Sequence, residues 1–219
     1  KKESFKLPSK LYGNFDVVER WKKAHKANPG KNMGILLAGL KGSGKTITAE
    51  KMCIESDLPV IIQTEAYEDA EYIDFITNKC WGRFILFIDE FEKIYNERSN
   101  NSAVNSFLRV MDGGFDTDIL FLLTVNELNI SPYMTNRLGR IKYKESYESL
   151  PEDVMMAVID DLLVDKSEAN ITSVRTFFDK VNMCTFDLLV TLIKEMNLFE
   201  EDAITCGMRF NLQPEQDTY

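Results

Sequence analysis

The segment from Gly39 to Thr46, GLKGSGKT, constrains the fold more than any other part of this chain. It follows the apolar run MGILLAG and precedes a helical pattern, so it has to turn a buried strand into a helix. Its spacing is GxxxxGK[ST], in which bare backbone amides and a helix N-terminus surround phosphate oxygens. A glycine-rich turn that carries a lysine by chance is the alternative. The strand-loop-helix setting favours a phosphate-binding loop.

The residue types of this loop match the chemistry of a bound nucleotide. Lys45 supplies a positive charge to the β- and γ-phosphates, and the hydroxyl of Thr46 is suited to binding Mg²⁺. Glycines leave room for backbone N–H groups to approach the phosphate oxygens closely. The predicted nucleotide-binding residues of the loop are Gly39, Lys41, Gly42, Ser43, Gly44, Lys45, Thr46 and Ile47.

Two acidic residues, Asp89 and Glu90, end a second apolar run, RFILFIDE. Ligands of parallel sheets bind at the carboxyl ends of the strands, so both acids are expected to face the phosphate-binding loop. We predict that Asp89 holds Mg²⁺ through its water shell and that Glu90 takes a proton from the attacking water. The sequence therefore predicts nucleotide hydrolysis.

Short apolar strands alternate with amphipathic helices from about Asn14 to Lys144, which is typical of a parallel α/β sheet. The five predicted strands are MGILLAG, PVIIQ, RFILFIDE, DILFLLTVN and GRIKYK. After Ser149 only helical patterns follow. The first of these is predicted to open with a capping box, SLPE, and to bury Val154, Val158, Ile159 and Leu162. We predict a nucleotide-binding α/β domain at residues 1–147 and a small helical lid domain at residues 148–219.

The charge balance bears on the class of partner. The formal net charge is −9, from 35 acidic and 26 basic residues, so the broad basic field that usually drives nucleic-acid binding is missing. The basic stretch RWKKAHK is interpreted as the solvated face of a helix, and its histidine, His25, as a surface residue. Nucleic acid is therefore a disfavoured partner.

Other features concern the cellular setting. The four cysteines are widely spaced without a CxxC pair, which favours a reduced, cytoplasmic protein without structural zinc. The longest apolar runs are too short to cross a bilayer, and no secretory signal is predicted in KKESFKLPSK. The chain starts at Lys1 rather than methionine, which suggests a segment of a longer protein.

The stretch SFLRVMDGGFDTDILFLLTVNELNISPYMTNRLGRIKY resembles the second region of homology of AAA ATPases, a family within the AAA+ class of P-loop NTPases. Its parts are MDG, the strand end TVN, Pro132 and the turn RLGR. The resemblance extends over about Leu11 to Tyr143, with a weaker continuation beyond. It implies an AAA+ sheet and an ATPase that uses ATP and Mg²⁺. The compact body also resembles minimal ATPases of the kind that phages encode.

The resemblance implies roles for residues outside the phosphate-binding loop. Asn126 would orient the attacking water beside Glu90. Arg137 and Arg140 resemble arginine fingers that reach the γ-phosphate of a neighbouring subunit, which implies a ring, of six subunits by analogy. The adenine-binding position corresponds to Tyr12 and Gly13. Arg175 either senses the γ-phosphate from the lid or is a solvated helix residue, and the sequence leaves both open.

The resemblance also implies a class of activity, the remodelling of a protein or macromolecular complex whose identity the sequence does not indicate. The acidic segment QTEAYEDAEY lacks the aromatic-apolar-glycine pattern of relatives that thread polypeptides, so a standard threading pore is not predicted. Two alternatives remain open: an ATP-dependent DNA-replication accessory, and a switch that binds nucleotide without hydrolysing it. Charge disfavours the first, and the intact set of Lys45, Asp89 and Glu90 disfavours the second.

Overall fold

Residues 1–147 contain a five-stranded parallel sheet with the strand order β2-β3-β4-β1-β5. The computed structural model describes residues 5–66, 70–80, 82–95, 101–112, 117–126 and 141–210. The strands are β1 Met33–Gly39, β2 Val60–Ile62, β3 Phe84–Ile88, β4 Ile119–Val125 and β5 Tyr143–Tyr147. The predicted fold class, a parallel α/β sheet flanked by helices and followed by a helical region, is confirmed.

Helices cover both faces of this sheet. On one face lie α1, Asp16–Lys26, and α2, Lys45–Glu55. On the other lie α3, Ala70–Asp74, which continues as a π-helical turn at Phe75–Lys79, then α4, Phe91–Ile94, and α5, Asn101–Met111. Every residue of β1, β3 and β4 is buried, because strands covered on both faces have no solvent side. The core is therefore two apolar layers separated by the sheet.

The fifth strand lies later in the chain than predicted. GRIKYK was expected to form it, but β5 begins at Tyr143 and ends at Tyr147. It lies at the edge of the sheet, and β1 is its one partner among the described strands, so half-buried residues alternate with exposed ones instead of forming an apolar run. A search for continuous apolar residues misses a strand of this composition.

The chain divides into two compact units, Lys1–Tyr147 and Glu148–Tyr219. The second unit contains α6 Glu152–Leu162, α7 Glu168–Val181, α8 Phe186–Phe199 and α9 Ala203–Gly207. The functional roles predicted for these units, nucleotide-binding domain and lid, remain proposals. Across the described ranges, no helix combines the length and the apolar character that a membrane span requires.

The predicted capping box before α6 is wrong. Pro151 occupies the N-cap position, and no side chain within the described ranges caps this helix. Ser149 instead accepts a hydrogen bond from the Cys184 backbone N–H, at 2.8 Å, which fixes the start of α6 against the start of α8. The predicted inward residue Leu162 is 38% exposed, and its neighbour Leu163 is buried in its place.

The interpretation of His25 as a surface residue is also wrong, because its side chain is 4% exposed. Its Nε2 lies 3.1 Å from Asp118 Oδ1, although this contact lacks the geometry of a hydrogen bond. Arg83 donates to Asp118 Oδ2 at 2.7 Å and to the backbone oxygen of His25. Burial, followed by the charge of Arg83, lowers the pKa of His25. The histidine thus helps to attach the end of α1 to the sheet.

Gly207 gives a test of packing within the second unit. A Cβ added at this position would lie 2.0 Å from Cε2 of Phe177, a buried ring of α7. We expect Gly207→Ala to lower the free energy of unfolding by about 1–3 kcal/mol, because the ring has to move. Thermal unfolding measures this. The neighbouring Met208→Ala, at a side chain that is 75% exposed, is the control and should change stability by less than about 0.5 kcal/mol.

Candidate active site

The order of the strands brings three chain segments together at one edge of the sheet. The phosphate-binding loop follows β1, and Asp89 and Glu90 follow β3. Strand β4 lies between β1 and β3 and pairs in parallel with both. Residues at the carboxyl end of β4 can therefore contact the loop on one side and the acidic pair on the other. The site forms at this edge, as expected for parallel sheets.

Among the described residues, the N-terminus of α2 lacks the side-chain cap that α7, α8 and α9 of the second unit have. Its N-cap is Gly44, with φ of 98°, and α2 has no acidic residue in its first turn and, within the described residues, no side-chain cap. The first backbone N–H groups of a helix need acceptors from outside the helix. Side chains supply such acceptors to α7, α8 and α9, from Ser167, Thr185 and Asp202. The start of α2 therefore suits an anionic ligand.

Lys45 is the buried cation of the site, at 4% exposure. Its Nζ donates to the backbone oxygens of Gly39, at 3.0 Å, and Leu40, at 2.7 Å. Burial lowers the pKa of Lys45, and neighbouring carboxylates, led by that of Glu92, act in the opposite direction. The ammonium group therefore lies inside the loop, bonded to carbonyl groups of the loop itself.

Thr46 and Asp89 meet across the two segments. The Thr46 hydroxyl donates to Asp89 Oδ1 at 3.1 Å. A hydroxyl and a carboxylate are the hard oxygen ligands that Mg²⁺ prefers, and Mg²⁺ takes its remaining ligands from waters and phosphates. In the part of the chain that the structure describes, no three His, Cys, Asp or Glu side chains form a complete metal cage. The residues present thus fit a Mg²⁺ ion that is bound together with a nucleotide.

Thr124, a buried residue of β4, positions both acids, and its role was missed at the level of sequence. Its hydroxyl donates to Asp89 Oδ1 and accepts the backbone N–H of Glu90 at 2.9 Å. A hydroxyl next to the end of an otherwise apolar strand, ILFLLTV, was the available signal. Its contacts with both acids depend on β4 lying beside β3, and the sequence pattern does not predict the order of the strands.

Glu90 has a left-handed backbone, with φ of 51°, at the N-cap of α4. This conformation is costly for a residue with a Cβ and is concentrated at functional sites. Its Oε2 accepts from Lys93 Nζ at 2.6 Å and its Oε1 from Asn126 Nδ2 at 2.8 Å. These two hydrogen bonds, that of Lys93 first, hold the pKa of Glu90 below its usual range. The side chain is therefore an ionised acceptor at neutral pH.

Glu92 is a third acid of the site that sequence reasoning missed. Its Oε1 accepts from the backbone N–H of Asn126 at 3.1 Å and from Asn126 Nδ2 at 3.0 Å. Asn126 is thus held by Glu92 while its amide also donates to Glu90. The sequence signal for Glu92 was its position, two residues after Glu90 at the start of a helix.

Two buried oxygen atoms of the site have no hydrogen-bond partner in the described part of the chain. They are Oγ of Ser43, in the phosphate-binding loop, and Oε2 of Glu92. Buried polar atoms are normally bonded, so such atoms mark positions where a ligand or its water shell completes the structure. Together with the uncapped start of α2, they agree with a phosphate-bearing ligand at this site.

The remaining predicted residues are placed as follows. Lys41 is exposed, and its charge is one of the smaller causes that lower the pKa of Glu90. Ile47, in the first turn of α2, and Tyr12 are half-buried, whereas Gly13 is exposed with φ of 103°. The adenine-binding role of Tyr12 and Gly13 stays a prediction.

The predicted arginines have different outcomes. Arg175, on α7, has Nη2 3.1 Å from Oε1 of Glu152 and 3.4 Å from Sδ of Met156, both on α6. Its role as a γ-phosphate sensor stays a prediction. Arg137 and Arg140, the predicted arginine fingers, lie outside the described residues.

The fold and the loop define a P-loop nucleotide-binding protein. Residues 35–147 match the family described as "ATPase family associated with various cellular activities (AAA)". This match covers about half of the chain, and the chain belongs to the AAA family. The predicted enzyme class, ATPase, is confirmed with the family.

Two known proteins give the extent of the similarity. The chain is 28% identical over 201 residues to "ATP-dependent zinc metalloprotease FTSH 9, chloroplastic" of Arabidopsis thaliana, with 80% of this chain and 24% of the relative covered. The chain thus spans about a quarter of the length of that relative. A chain in the solved HORMA:CdnC:Trip13 complex of E. coli MS115-1 has a TM-score of 0.66 at 16% identity, over 93% of this chain and 90% of that one. This second likeness is one of fold.

Proposed function

We propose that this chain binds ATP with Mg²⁺ at the loop between β1 and α2, hydrolyses it, and couples hydrolysis to the remodelling of a protein complex. The observation that carries the proposal is the contact of Thr46 with Asp89, beside Glu90 and Asn126. This contact supports a magnesium-binding pair, Thr46 and Asp89, next to a pair suited to activating water, Glu90 and Asn126. Membership of the AAA family supports the same reaction.

The proposed chemistry assigns one task to each group. Lys45 and the N–H groups at the start of α2 stabilise negative charge on the β- and γ-phosphates. The Mg²⁺ ion, held by Thr46 and Asp89, would supply further positive charge to the phosphate oxygens. Glu90 accepts a proton from the water that attacks the γ-phosphorus, while the bond from this phosphorus to the β,γ-bridging oxygen breaks. Asn126, held by Glu92, keeps the carboxylate of Glu90 oriented.

We further propose that the chain acts as a ring in which Arg137 and Arg140 reach the site of the neighbouring subunit. The support is the match of RLGR to the arginine-finger position of the family. An arginine supplied by a neighbour stabilises charge in the transition state, and its absence slows hydrolysis by orders of magnitude. Turnover would then depend on assembly.

A protein client is the proposed substrate of the ring. The name of the Arabidopsis relative describes an ATP-dependent protease, so in that protein ATP use serves an action on protein. The acidic net charge of the chain, −9, supports a protein over a nucleic acid as the client.

The test is the ATPase rate per subunit as a function of protein concentration, measured with and without DNA. We expect the rate per subunit to rise with concentration, because the site needs a neighbour, and to be unaffected by DNA. Stimulation by DNA would favour the replication accessory instead. A rate per subunit that is constant from dilute to concentrated protein would contradict arginines acting between subunits.

Mixed rings test the same point with variants. In a ring of Arg137→Ala every site lacks the arginine of its neighbour, and in a ring of Lys45→Ala every site lacks its own lysine. Each variant is therefore expected to be inactive alone, although Arg137→Ala keeps its phosphate-binding loop and Lys45→Ala keeps its arginines. Mixing the two should restore part of the activity, since some sites then combine an intact loop with an intact neighbouring arginine. If the mixture stays inactive at high concentration, Arg137 does not act between subunits.

A further inference from the structure

Tyr147, the last residue of β5, contacts the phosphate-binding loop near both of its ends. At the first end, the Leu40 backbone N–H donates to the backbone oxygen of Tyr147 at 2.9 Å. At the second end, the Tyr147 hydroxyl donates to Thr48 Oγ1 at 2.9 Å, and Thr48 Oγ1 donates to the Gly44 backbone oxygen at 3.2 Å. The two contacts use different parts of one residue.

At the first end of the loop, the backbone of Tyr147 leaves no room for a side chain at Gly39. Gly39 is the strand partner of Tyr147, and a Cβ added to Gly39 would lie 1.9 Å from the backbone oxygen of Tyr147. The backbone of β5 therefore lies directly against the start of the loop, where Gly39 and Leu40 also accept hydrogen bonds from Lys45. A shift of β5 at this point would have to move the carbonyls that hold the lysine.

The contact at the second end forms a chain of hydrogen bonds from the phenol to the loop. Because the Thr48 hydroxyl accepts from Tyr147 and donates to Gly44, its single proton is directed at the residue that caps α2. Burial raises the pKa of the Tyr147 phenol, so the phenol remains a donor at neutral pH. The position of Gly44 is thereby tied to β5 as well as to α2.

We propose that Tyr147 is a positioning residue of the nucleotide site, which fixes both ends of the loop so that its N–H groups are arranged for a polyphosphate before one binds. The inference rests on the proposed function, because it assumes that the loop binds nucleotide. Tyr147 is also the last residue of the first compact unit, and the second unit begins at the next residue. The connection between the two units therefore begins at a residue bonded to the loop.

The test compares Tyr147→Phe, which removes the hydroxyl alone, with Thr48→Val, which removes the other partner. Calorimetric titration of the full chain with Mg-ADP is expected to give a Kd raised about twofold to tenfold in each variant, the range for one lost hydrogen bond. In the double variant, the effect of Tyr147→Phe should be smaller than in the wild-type background, because the partner is already absent. Steady-state kinetics should show a raised KM for ATP with kcat changed less.

The matched control is Tyr143→Phe, since Tyr143 is half-buried on the same strand four residues earlier, and its Kd should equal that of the wild type. Equal Kd values for Tyr147→Phe and the wild type would overturn the inference, even if the variant melts at a lower temperature, since the tyrosine would then only stabilise the fold. Failure of the wild-type chain to bind Mg-ADP would overturn the proposed function and this inference together.

Discussion

Glu90→Gln is expected to bind Mg-ATP with little loss of affinity and to lower the turnover rate by about 100-fold or more, the range for removal of a general base. The glutamine keeps the shape of the side chain but has no carboxylate to accept a proton from water. Its amide oxygen can still accept a hydrogen bond from Asn126, whereas the bond from Lys93 is lost because an NH2 group replaces the second carboxylate oxygen. Phosphate release under saturating ATP measures the turnover, and calorimetry measures the binding.

Glu55→Gln is the matched control for this change. Glu55 lies at the end of α2, where it forms ion pairs with Lys51 and Lys22 near the protein surface. Surface ion pairs of this kind contribute little, so turnover should stay near that of the wild type. If Glu90→Gln hydrolyses ATP at the wild-type rate, Glu90 is not the base.

Lys45→Ala is expected to raise the Kd for Mg-ATP by about 100-fold or more. The substitution removes a charged hydrogen-bond donor from a buried site, so the bound phosphate is left without its positively charged partner. Such a loss costs several kcal/mol of binding free energy, and about 1.4 kcal/mol corresponds to a tenfold change in Kd. Calorimetric titration with Mg-ATP measures the change, and hydrolysis at fixed ATP should be lost with it.

Lys51→Ala is the control for the lysine. Lys51 lies on the same helix, but it pairs with Glu55 rather than with the loop. Its removal should leave the affinity for Mg-ATP unchanged. Thermal unfolding of Lys45→Ala shows whether the variant is folded, and a folded variant with wild-type affinity would remove the lysine from the proposed site.

The fold was predictable wherever burial dominates the sequence. Strands β1, β3 and β4 are buried on both faces, so their positions are visible as apolar runs, and a helix follows the phosphate-binding loop as its sequence setting predicts. The errors fall where burial is partial. Strand β5 lies at the edge of the described sheet and has a polar composition, and Ser149 bonds to Cys184, which is 35 residues away in the chain.

The candidate site was predictable to the extent that its chemistry follows local motifs. Lys45, Thr46, Asp89 and Glu90 are found from spacing alone, because the loop and the acids each lie within a few consecutive residues. Thr124 and Glu92 could not be identified as site residues in this way, because their contacts are with residues that are more than 30 positions away in the sequence. His25 was assigned to the surface because no local pattern predicts its approach to Asp118, 93 residues later in the sequence.

The hydrogen bonds of Lys45 have a consequence for affinity. The ammonium group of Lys45 donates to two carbonyls of its own loop. Because an ammonium group has three N–H donors, a phosphate can accept from the third and competes with the carbonyls for the other two. The affinity for nucleotide is then the difference between the bonds of the lysine to phosphate and its bonds to the loop, and the loop carbonyls favour product release by accepting from the lysine again.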